Sequence, residues 1–202
     1  MTPAVFAAFD ALCLRYGAKG SVLEIGATST PDTLLNLPSL NACAPRVGIN
    51  QAYAASTAAG EILHGSGHDL SRFADAAFDV VVSNATLEHD PHFWLTLSEM
   101  RRVLKTGGLL VIGVPGYVRA RSALRRLAGW LGRQPTLEGV ARPLQAFGAG
   151  TVTLLVHDYP GDYFRFSEQA LREVLLSGTE VLATRVLQVP PRLVGAGRKL
   201  PT

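Results

Sequence analysis

Residues 78–114 read FDVVVSNATLEHDPHFWLTLSEMRRVLKTGGLLVIGV, and this stretch decides the fold. It begins with an apolar run from Phe78 to Ser83 and ends with another from Leu109 to Val114. Between the runs, apolar residues recur at helical spacing, and Gly107 and Gly108 can supply the positive φ that ends a helix. Continuous apolar strands joined by a helix are typical of a parallel sheet covered on both faces. The polar residues after the first strand therefore lie at the sheet edge where such folds bind ligands.

The rest of the chain extends this strand–helix pattern. Apolar spacing predicts an N-terminal helix over residues 3–17, and Asp90 and Pro91 are suited to begin the helix that follows the fourth strand. Ser167 is predicted to cap a last helix that ends near Leu176. The other predicted elements are strands at Ser21–Ile25, Arg46–Ile49 and Glu61–Leu63, a short helix at Ala52–Ala59, and strands at Thr179–Gln188 and Arg192–Lys199.

The last two predicted strands are so close in sequence that they can pair only as an antiparallel hairpin. The sequence therefore predicts an α/β, Rossmann-like three-layer sandwich with a mostly parallel, seven-stranded sheet and a C-terminal antiparallel hairpin. We expect one domain over residues 1–202. Residues 116–156 interrupt the pattern and are interpreted as a lid or substrate-facing insertion.

Composition limits the classes of protein to which the chain can belong. Of the 202 residues, 48% are hydrophobic and 17% are charged, which excludes a disordered chain or a coiled coil. No apolar run reaches the roughly 18 residues of a membrane span, so a soluble, cytoplasmic protein is expected. Cys13 and Cys43 lack metal-ligand spacing and are too few for a disulfide framework, so we expect reduced thiols and no metal site.

Positive charge is concentrated in one segment, since five of the 19 basic residues and no acid lie between Tyr117 and Pro135. The remaining 14 basic and 16 acidic residues give the rest of the chain a net charge of −2. This distribution argues against a general nucleic-acid binder. The arginine-rich segment could be a lid that meets an anionic substrate or a membrane surface, or a helix that covers its own domain.

Three segments carry a resemblance to a known family. The segments VLEIGAT (residues 22–28) and NATLEHDP…EMRRVLKTGGLLVIGVP (residues 84–115) together resemble the core of class I S-adenosylmethionine-dependent methyltransferases of the small-molecule, type 11-like group. HDYPGDYFRF (residues 157–166) resembles a run found in a bacterial branch of these enzymes. The resemblance implies S-adenosyl-L-methionine as cofactor.

The resemblance also implies positions that bind the cofactor: the turn after the first strand, the end of the second strand, a loop aspartate for the adenine, and the end of the fourth strand. These positions are Glu24, Gly26, Ala27, Thr28, Asn50, Gln51, Asp69, Leu70, Asn84 and Ala85. Two of them depart from the family pattern. Thr28 stands where a second glycine is usual, and Asn50 stands where an acidic residue usually accepts bonds from the ribose hydroxyls.

Residues near the methyl acceptor follow from the same resemblance. His157 and His89 are the candidate catalytic bases, and Tyr159, Tyr163 and Arg165 are candidate substrate contacts. The alternative is that the aromatic residues pack at the sheet edge while Asp162 and Arg165 form a structural pair.

The predicted function is S-adenosylmethionine-dependent methyl transfer to a small molecule by in-line displacement. The alternative is a degenerate methyltransferase fold that acts as a non-catalytic binding or scaffolding protein, because the glycine turn and Asn50 depart from the pattern. A nucleotide-dependent oxidoreductase would need G-x-G-x-x-G after the first strand, which EIGATST does not supply. The expected partner is a small-molecule substrate, with no nucleic acid and no stable membrane insertion, and a homodimer is left open.

Overall fold

The computed structural model describes residues 1–119, 130, 151–153, 161–187 and 191–201. The helices are α1 (Pro3–Arg15), α2 (Phe93–Val103) and the short α3 (Glu168–Ala170), which continues as a π-helix over Leu171–Leu175. The strands are β1 (Val22–Ile25), β2 (Arg46–Asn50), β3 (Ala55–Thr57), β4 (Gly60–His64), β5 (Phe78–Asn84), β6 (Leu104–Pro115), β7 (Tyr117–Arg119), β8 (Thr151–Thr153), β9 (Thr179–Leu187) and β10 (Arg192–Lys199).

Eight of these strands form one sheet in the order β3-β4-β2-β1-β5-β6-β10-β9, and β7 pairs with β8 separately. The five strands from β4 to β6 in that order run parallel, whereas β10 is antiparallel to β6 and β9 is antiparallel to β10. The predicted α/β class and the C-terminal hairpin are therefore confirmed. The predicted strand number is wrong by one.

The additional strand is β3, which occupies residues that the sequence predicted as a short helix. It pairs antiparallel with β4 through a tight turn. The Thr57 hydroxyl donates to the Gly60 carbonyl at 2.9 Å and accepts from the Ala59 amide at 3.2 Å. Side chains that bond nearby backbone in this way favour turns over helices, which is why the helix prediction fails here.

Helix α2 is shorter at both ends than the sequence predicted. It begins after His92, and Asp90 lies before it and accepts from the His92 amide at 2.8 Å. It ends at Val103, so Gly107 and Gly108 do not terminate it. They lie inside β6, which starts at Leu104 and loses its regular register with β5 near this point. The positive φ of Gly107 thus serves an irregular strand and not a helix end.

The segment between β1 and β2 forms two 3-10 turns, Leu34–Asn36 and Pro38–Leu40, where a βαβ unit would have a helix. Leu37 precedes a proline, which disfavours helical backbone at that position. Leu34 and Leu40 are fully buried, so the turns still cover the sheet. Covering one face with turns keeps the chain after β1 close to the strand ends.

Two apolar layers enclose the sheet. Val80 and Val82 of β5 pack with Phe9 of α1, and Val81 packs on the opposite face with Leu97 of α2. This alternation is expected of a strand buried on both faces. Among the helices of the described residues, none is long and apolar enough to cross a membrane.

Candidate functional site

A cavity of about 340 Å³ lies at the edge of the sheet where β1 and β5 end. Its lining includes five residues that the sequence predicted for cofactor binding: Glu24, Gly26, Thr28, Asn84 and Ala85. The remaining lining residues are Met1, Thr2, Val5, Thr30, Asp32 and Arg192. The cavity therefore lies at the carboxyl ends of parallel strands, where open α/β sheets bind ligands.

The turn after β1 depends on Gly26. Its φ is +84°, and a Cβ at this position would lie 2.0 Å from Oγ1 of Thr86. That hydroxyl donates to the Ile25 carbonyl at 3.2 Å, so the two strand ends touch at this glycine. Thr28 has no positive φ. This backbone therefore does not require a second glycine, which gives a physical reason for the departure from the family pattern.

Asn50 connects the ends of β1 and β2 through both ends of its side-chain amide. Its Nδ2 donates to the Ala27 carbonyl at 2.7 Å, and its Oδ1 accepts from the Ala52 amide at 2.7 Å. A carboxylate could not make the first of these bonds, because it has no hydrogen to donate. Asn50 thus holds the turn beside the cavity, and its bond to ribose stays a prediction. The side chain of Gln51 reaches Oγ of Ser66 at 3.4 Å.

Glu24 is a buried carboxyl group at the base of the cavity. It accepts from the Thr33 hydroxyl at 2.6 Å, from the Leu34 amide at 3.1 Å and from the Leu35 amide at 3.0 Å. It therefore anchors the first 3-10 turn to β1. Burial raises the pKa of Glu24 to about 7, although the three hydrogen bonds act in the opposite direction.

Asn84 and Ala85 form the part of the cavity that follows β5. The Ala85 amide donates to the Gly113 carbonyl at 3.0 Å, so β6 holds this backbone in place. Ala85 has a φ of +53°, an unusual conformation for a residue with a side chain. Such backbone positions cluster at functional sites, where the surrounding structure maintains them.

Asp69 does not line this cavity. It lies with His68, Asp75 and Arg102 on a separate open groove of about 520 Å³. Its carboxylate accepts from the Ser71 amide at 3.0 Å, and hydrogen bonding from the Ser71 side chain and from this amide lowers the pKa of Asp69. The neighbouring Leu70 is fully buried.

Arg102 fixes the loop that contains Asp69. Its guanidinium donates to the carbonyls of Leu70 and Phe73 at 2.9 and 3.0 Å, and it pairs with Glu99. A second bond ties this loop to the region after β5, since Nε2 of His68 lies 2.7 Å from Oδ1 of Asp90. The loop is thus held in position beside the ends of β1 and β5.

The predicted acceptor side is only partly described. His89 lies after β5, with Nδ1 3.3 Å from the Gly161 carbonyl. Tyr163 is 58% exposed, and its amide donates to the Glu88 carbonyl at 2.8 Å. His157 and Tyr159 lie outside the described residues.

Arg165 and Asp162 form the pair that the sequence raised as an alternative to substrate binding. The guanidinium donates to both carboxylate oxygens, and Nη2 lies 2.6 Å from Oδ2. The Asp162 side chain is only 1% exposed. Phe164 and Phe166 pack on Phe93 of α2, with ring centroids 5.2 and 5.4 Å apart.

Arg192 is a lining residue that sequence reasoning missed. The resemblance implies that Glu88, with Leu87 and His89, forms the wall beside the transferred methyl group. Glu88 is buried beside Arg192, with Oε1 3.9 Å from Nη1, and burial raises its pKa to about 7. No local motif marks Arg192, because β10 brings it to the cavity from far along the chain.

Comparison with known proteins agrees with this geometry. Residues 39–112, less than half of the chain, match a family model described as a methyltransferase domain. The match contains Asn50, Asn84 and Ala85, and it ends inside β6. No curated protein matches the chain significantly.

Solved structures extend the comparison to the whole chain. The 1,6-didemethyltoxoflavin-N1-methyltransferase of Burkholderia thailandensis, solved with 1,6-didemethyltoxoflavin and S-adenosylhomocysteine, is 15% identical, with a TM-score of 0.64 over 98% of this chain and 79% of that one. A SAM-dependent methyltransferase of Methanosarcina mazei is 20% identical, with a TM-score of 0.59 over 100% and 99%. The N-methyltransferase NodS of Bradyrhizobium japonicum, in complex with S-adenosylhomocysteine, is 17% identical, with a TM-score of 0.55 over 97% and 86%.

The chain has a class I methyltransferase fold. The predicted methyltransferase resemblance is therefore confirmed, and the matched domain is that of an enzyme. S-adenosylmethionine is the cofactor of this class, and two of the similar structures hold S-adenosylhomocysteine, the product formed from it. The eight-stranded sheet is this methyltransferase fold with β3 added at one edge.

Proposed function

We propose that this chain transfers a methyl group from S-adenosylmethionine to a small-molecule acceptor. The observation that supports the proposal is the cavity of about 340 Å³ at the ends of β1 and β5, which collects Gly26, Asn84 and Ala85. Five of the ten predicted cofactor residues line this one space. Small-molecule sites are typically concave, few per protein and placed at strand ends of this kind.

The charges of the cavity fit the amino-acid end of the cofactor, which carries both an ammonium and a carboxylate group. Asp32 supplies a carboxylate, which in this structure pairs with the Met1 ammonium, and Arg192 supplies a guanidinium. Thr28 and Thr30 add hydroxyl groups that can donate or accept. The lining can thus hold a molecule with one charge of each sign.

When bound, the cofactor supplies an activated methyl group, so the protein has to position the acceptor and exclude water. We assign Asp69 to the adenine amino group and Asn50 with Gln51 to the ribose. The exposed ring of Tyr163 and the side chain of Tyr159 are assigned to the acceptor side, whereas the Arg165 guanidinium is engaged by Asp162. The insertion at residues 116–156 is assigned to the substrate side; most of it lies outside the described residues, and Tyr117–Arg119 pairs with Thr151–Thr153 as β7 and β8.

For a hydroxyl acceptor, His89 and His157 are the proposed bases. A carbonyl oxygen can only accept a hydrogen bond, so the contact with Gly161 favours the proton on Nδ1 of His89. Nε2 is then the basic nitrogen of the neutral ring. For a nitrogen acceptor no dedicated base is needed.

The test is calorimetric titration of the protein with S-adenosylmethionine and S-adenosylhomocysteine, with NAD as a control. We expect binding of the two sulfur compounds in the micromolar range and none of NAD. Absence of binding near millimolar concentration would contradict the enzyme and favour the non-catalytic alternative. Screening of small-molecule acceptors by mass spectrometry follows from a positive result.

Asp69 and Asp75 provide a matched pair for locating the adenine end, because both are exposed acids on the same groove. Asp69→Ala is expected to weaken S-adenosylhomocysteine binding about tenfold, which corresponds to the loss of one charge-assisted bond. Asp75→Ala is expected to change it less than about twofold. Equal effects of the two variants would contradict the assignment of Asp69.

The cytoplasmic location and the homodimer stay predictions.

A further inference from the structure

Arg192 is the first residue of β10, and its side chain reaches the cavity. Its backbone pairs with Pro115 at the end of β6 and with Leu187 at the end of β9. The side chain is 22% exposed and lines the cavity together with Gly26 and Asn84. Among the described residues that line the cavity, it has the one cationic side chain. The guanidinium therefore stands on rigid sheet and faces the proposed ligand.

The partner of Arg192 inside the protein is incomplete. Oε1 of Glu88 lies 3.9 Å from Nη1 of Arg192, which is too long for a hydrogen bond. The Glu88 side chain is 1% exposed, and neither of its oxygens has a hydrogen-bond partner in the described part of the chain. A buried carboxyl group without such partners is costly. Glu88 thus orients the Arg192 guanidinium and leaves the N–H donors of Arg192 unused by this pair.

Within the described ranges, neighbouring charges do not complete this pair. Arg165 is turned to Asp162, to which it makes two bonds. The backbone carbonyl of Glu88 accepts from the amides of Tyr163 and Phe164, so the residue is fixed between β5 and the segment that follows residue 160. Of the residues that the structure describes, Asp162, Arg165 and Arg192 are the charged groups that act on the Glu88 carboxyl.

We propose that Arg192 is the residue of the cavity that binds a carboxylate, and that Glu88 is the residue that positions it. The planar guanidinium matches a carboxylate through two parallel N–H···O bonds. The Met1 ammonium, which also lines the cavity, is paired with Asp32, so among the described lining residues the Arg192 guanidinium is the cation left for a ligand. It suits a single negative charge better than a phosphate, which carries more. This inference rests on the proposed function, since the carboxylate belongs either to the amino-acid end of the cofactor or to the methyl acceptor.

The first experiment compares the wild-type protein with Arg192→Gln by calorimetry. The probes are S-adenosylhomocysteine and 5′-methylthioadenosine, which lacks the amino-acid carboxylate. If the carboxylate is that of the cofactor, the variant binds S-adenosylhomocysteine at least about tenfold more weakly and binds 5′-methylthioadenosine as before. Arg192→Lys retains the charge but loses the planar guanidinium with its two parallel donors. Its affinity for S-adenosylhomocysteine is expected to be intermediate.

The second experiment concerns the acceptor and uses benzoate as a probe carboxylate. If the carboxylate is that of the acceptor, Arg192→Gln binds S-adenosylhomocysteine normally, but the loaded variant loses the benzoate binding of the loaded wild-type protein. Arg172→Gln is the matched control, because it removes a half-exposed arginine that does not line the cavity. Unchanged binding of all probes, or equal weakening of S-adenosylhomocysteine and 5′-methylthioadenosine, would overturn the proposal.

The role of Glu88 is tested by a double-mutant cycle at pH 8. Glu88→Gln retains the shape but removes the negative charge that orients Arg192, so we expect binding of the carboxylate probe to weaken about threefold or more. The effect should vanish when Arg192 is already glutamine, whereas a merely structural role would give additive losses. If the wild-type protein binds neither adenosine compound, the proposed function fails. In that case, the role of Arg192 is still decided by comparing how the wild-type protein and Arg192→Gln bind benzoate, both without an adenosine compound.

Discussion

At the scale of single residues, Asn50 shows how a departure from a family pattern can be structural. The amide donates to the Ala27 carbonyl and accepts from the Ala52 amide. An acidic residue would place a carboxylate oxygen against the Ala27 carbonyl oxygen. The side chain therefore belongs to the architecture of the turn beside the cavity.

Asn50→Asp is expected to lower the free energy of unfolding by about 1–3 kcal/mol at pH 8, because one donor is lost and two acceptors then face each other. Near pH 4 the carboxyl group is partly protonated and can donate again, so the deficit should shrink. Urea unfolding at the two pH values measures both quantities.

Asn36→Asp is the control for this substitution, since Nδ2 of Asn36 also donates to a carbonyl, that of Pro31, but in an exposed place. Its cost should stay below about 1 kcal/mol. A deficit for Asn50→Asp that is the same at pH 4 and pH 8 would contradict the donor role of the amide.

At the scale of elements, the turn after β1 is limited by the approach of Gly26 to Thr86. Gly26→Ala should destabilise the protein by about 3 kcal/mol or more, because the positive φ is strained and the new Cβ overlaps Oγ1 of Thr86. Thr86→Ala, combined with Gly26→Ala in a double variant, removes the overlapping atom. It should restore only the part of the lost stability that is due to the steric overlap. Thermal unfolding of the two single variants and the double variant gives the coupling energy, and simple additivity would contradict this account.

The start of α2 depends on Asp90, which also connects the helix to the loop after β4. Its carboxylate accepts from the His92 amide, the Thr96 hydroxyl and the His68 ring at 2.7–2.8 Å. Asp90→Ala should cost about 2–3 kcal/mol and make the two loops more mobile, since three bonds are lost. Hydrogen exchange should then increase in residues 66–72 as well as at the helix start. An increase confined to α2 would contradict the connection.

Elements buried on both faces were predictable, whereas those fixed by local bonds were not. The strands β1 and β5 were predicted to within a residue or so, because burial on both faces leaves a continuous apolar run. The less buried β2 and β4 were predicted equally closely. The start of β6 and both ends of α2 differ by several residues. Backbone contacts across the sheet decide these boundaries. The periodicity of apolar residues in the sequence does not reveal such contacts.

At the scale of the whole molecule, two buried carboxyl groups dominate the dependence of stability on pH. Burial raises the pKa of both Glu24 and Glu88 to about 7. The folded protein therefore holds two protons that the unfolded chain releases above its ordinary pKa of about 4.3. Each group contributes stability at low pH, and that contribution is lost as the pH rises towards 7.

We expect the free energy of unfolding to fall between pH 5 and pH 7.5, by at most about 3 kcal/mol for each group. The lowered pKa values of Asp79 and Glu99 act in the opposite direction, but only at lower pH. Denaturant unfolding across this range should show a smaller slope for Glu88→Gln. Glu168→Gln, at a half-exposed position, should retain the wild-type slope, and a fall of equal size in all three proteins would contradict the assignment.

The site was predictable where its residues follow strands directly. Gly26 follows β1, Asn84 is the last residue of β5 and Ala85 follows it, and the parallel arrangement of these strands brings the three residues together. Asp69 lies on a separate groove, in a loop that Arg102 and Glu99 hold through the backbone of Leu70. Arg192 could not be predicted, since only the pairing of β10 with β6 brings it near β1.

That pairing gives the site an order of assembly in time. As the chain is synthesised, β1 and β5 are complete more than a hundred residues before Arg192 exists, and domains generally fold as units. The cavity can therefore close only after the last hairpin has docked. A molecule that binds Arg192 favours the docked hairpin over the open one by mass action. In the cell, the supply of that molecule would then influence how long a newly made chain stays vulnerable to proteolysis at its C-terminal end.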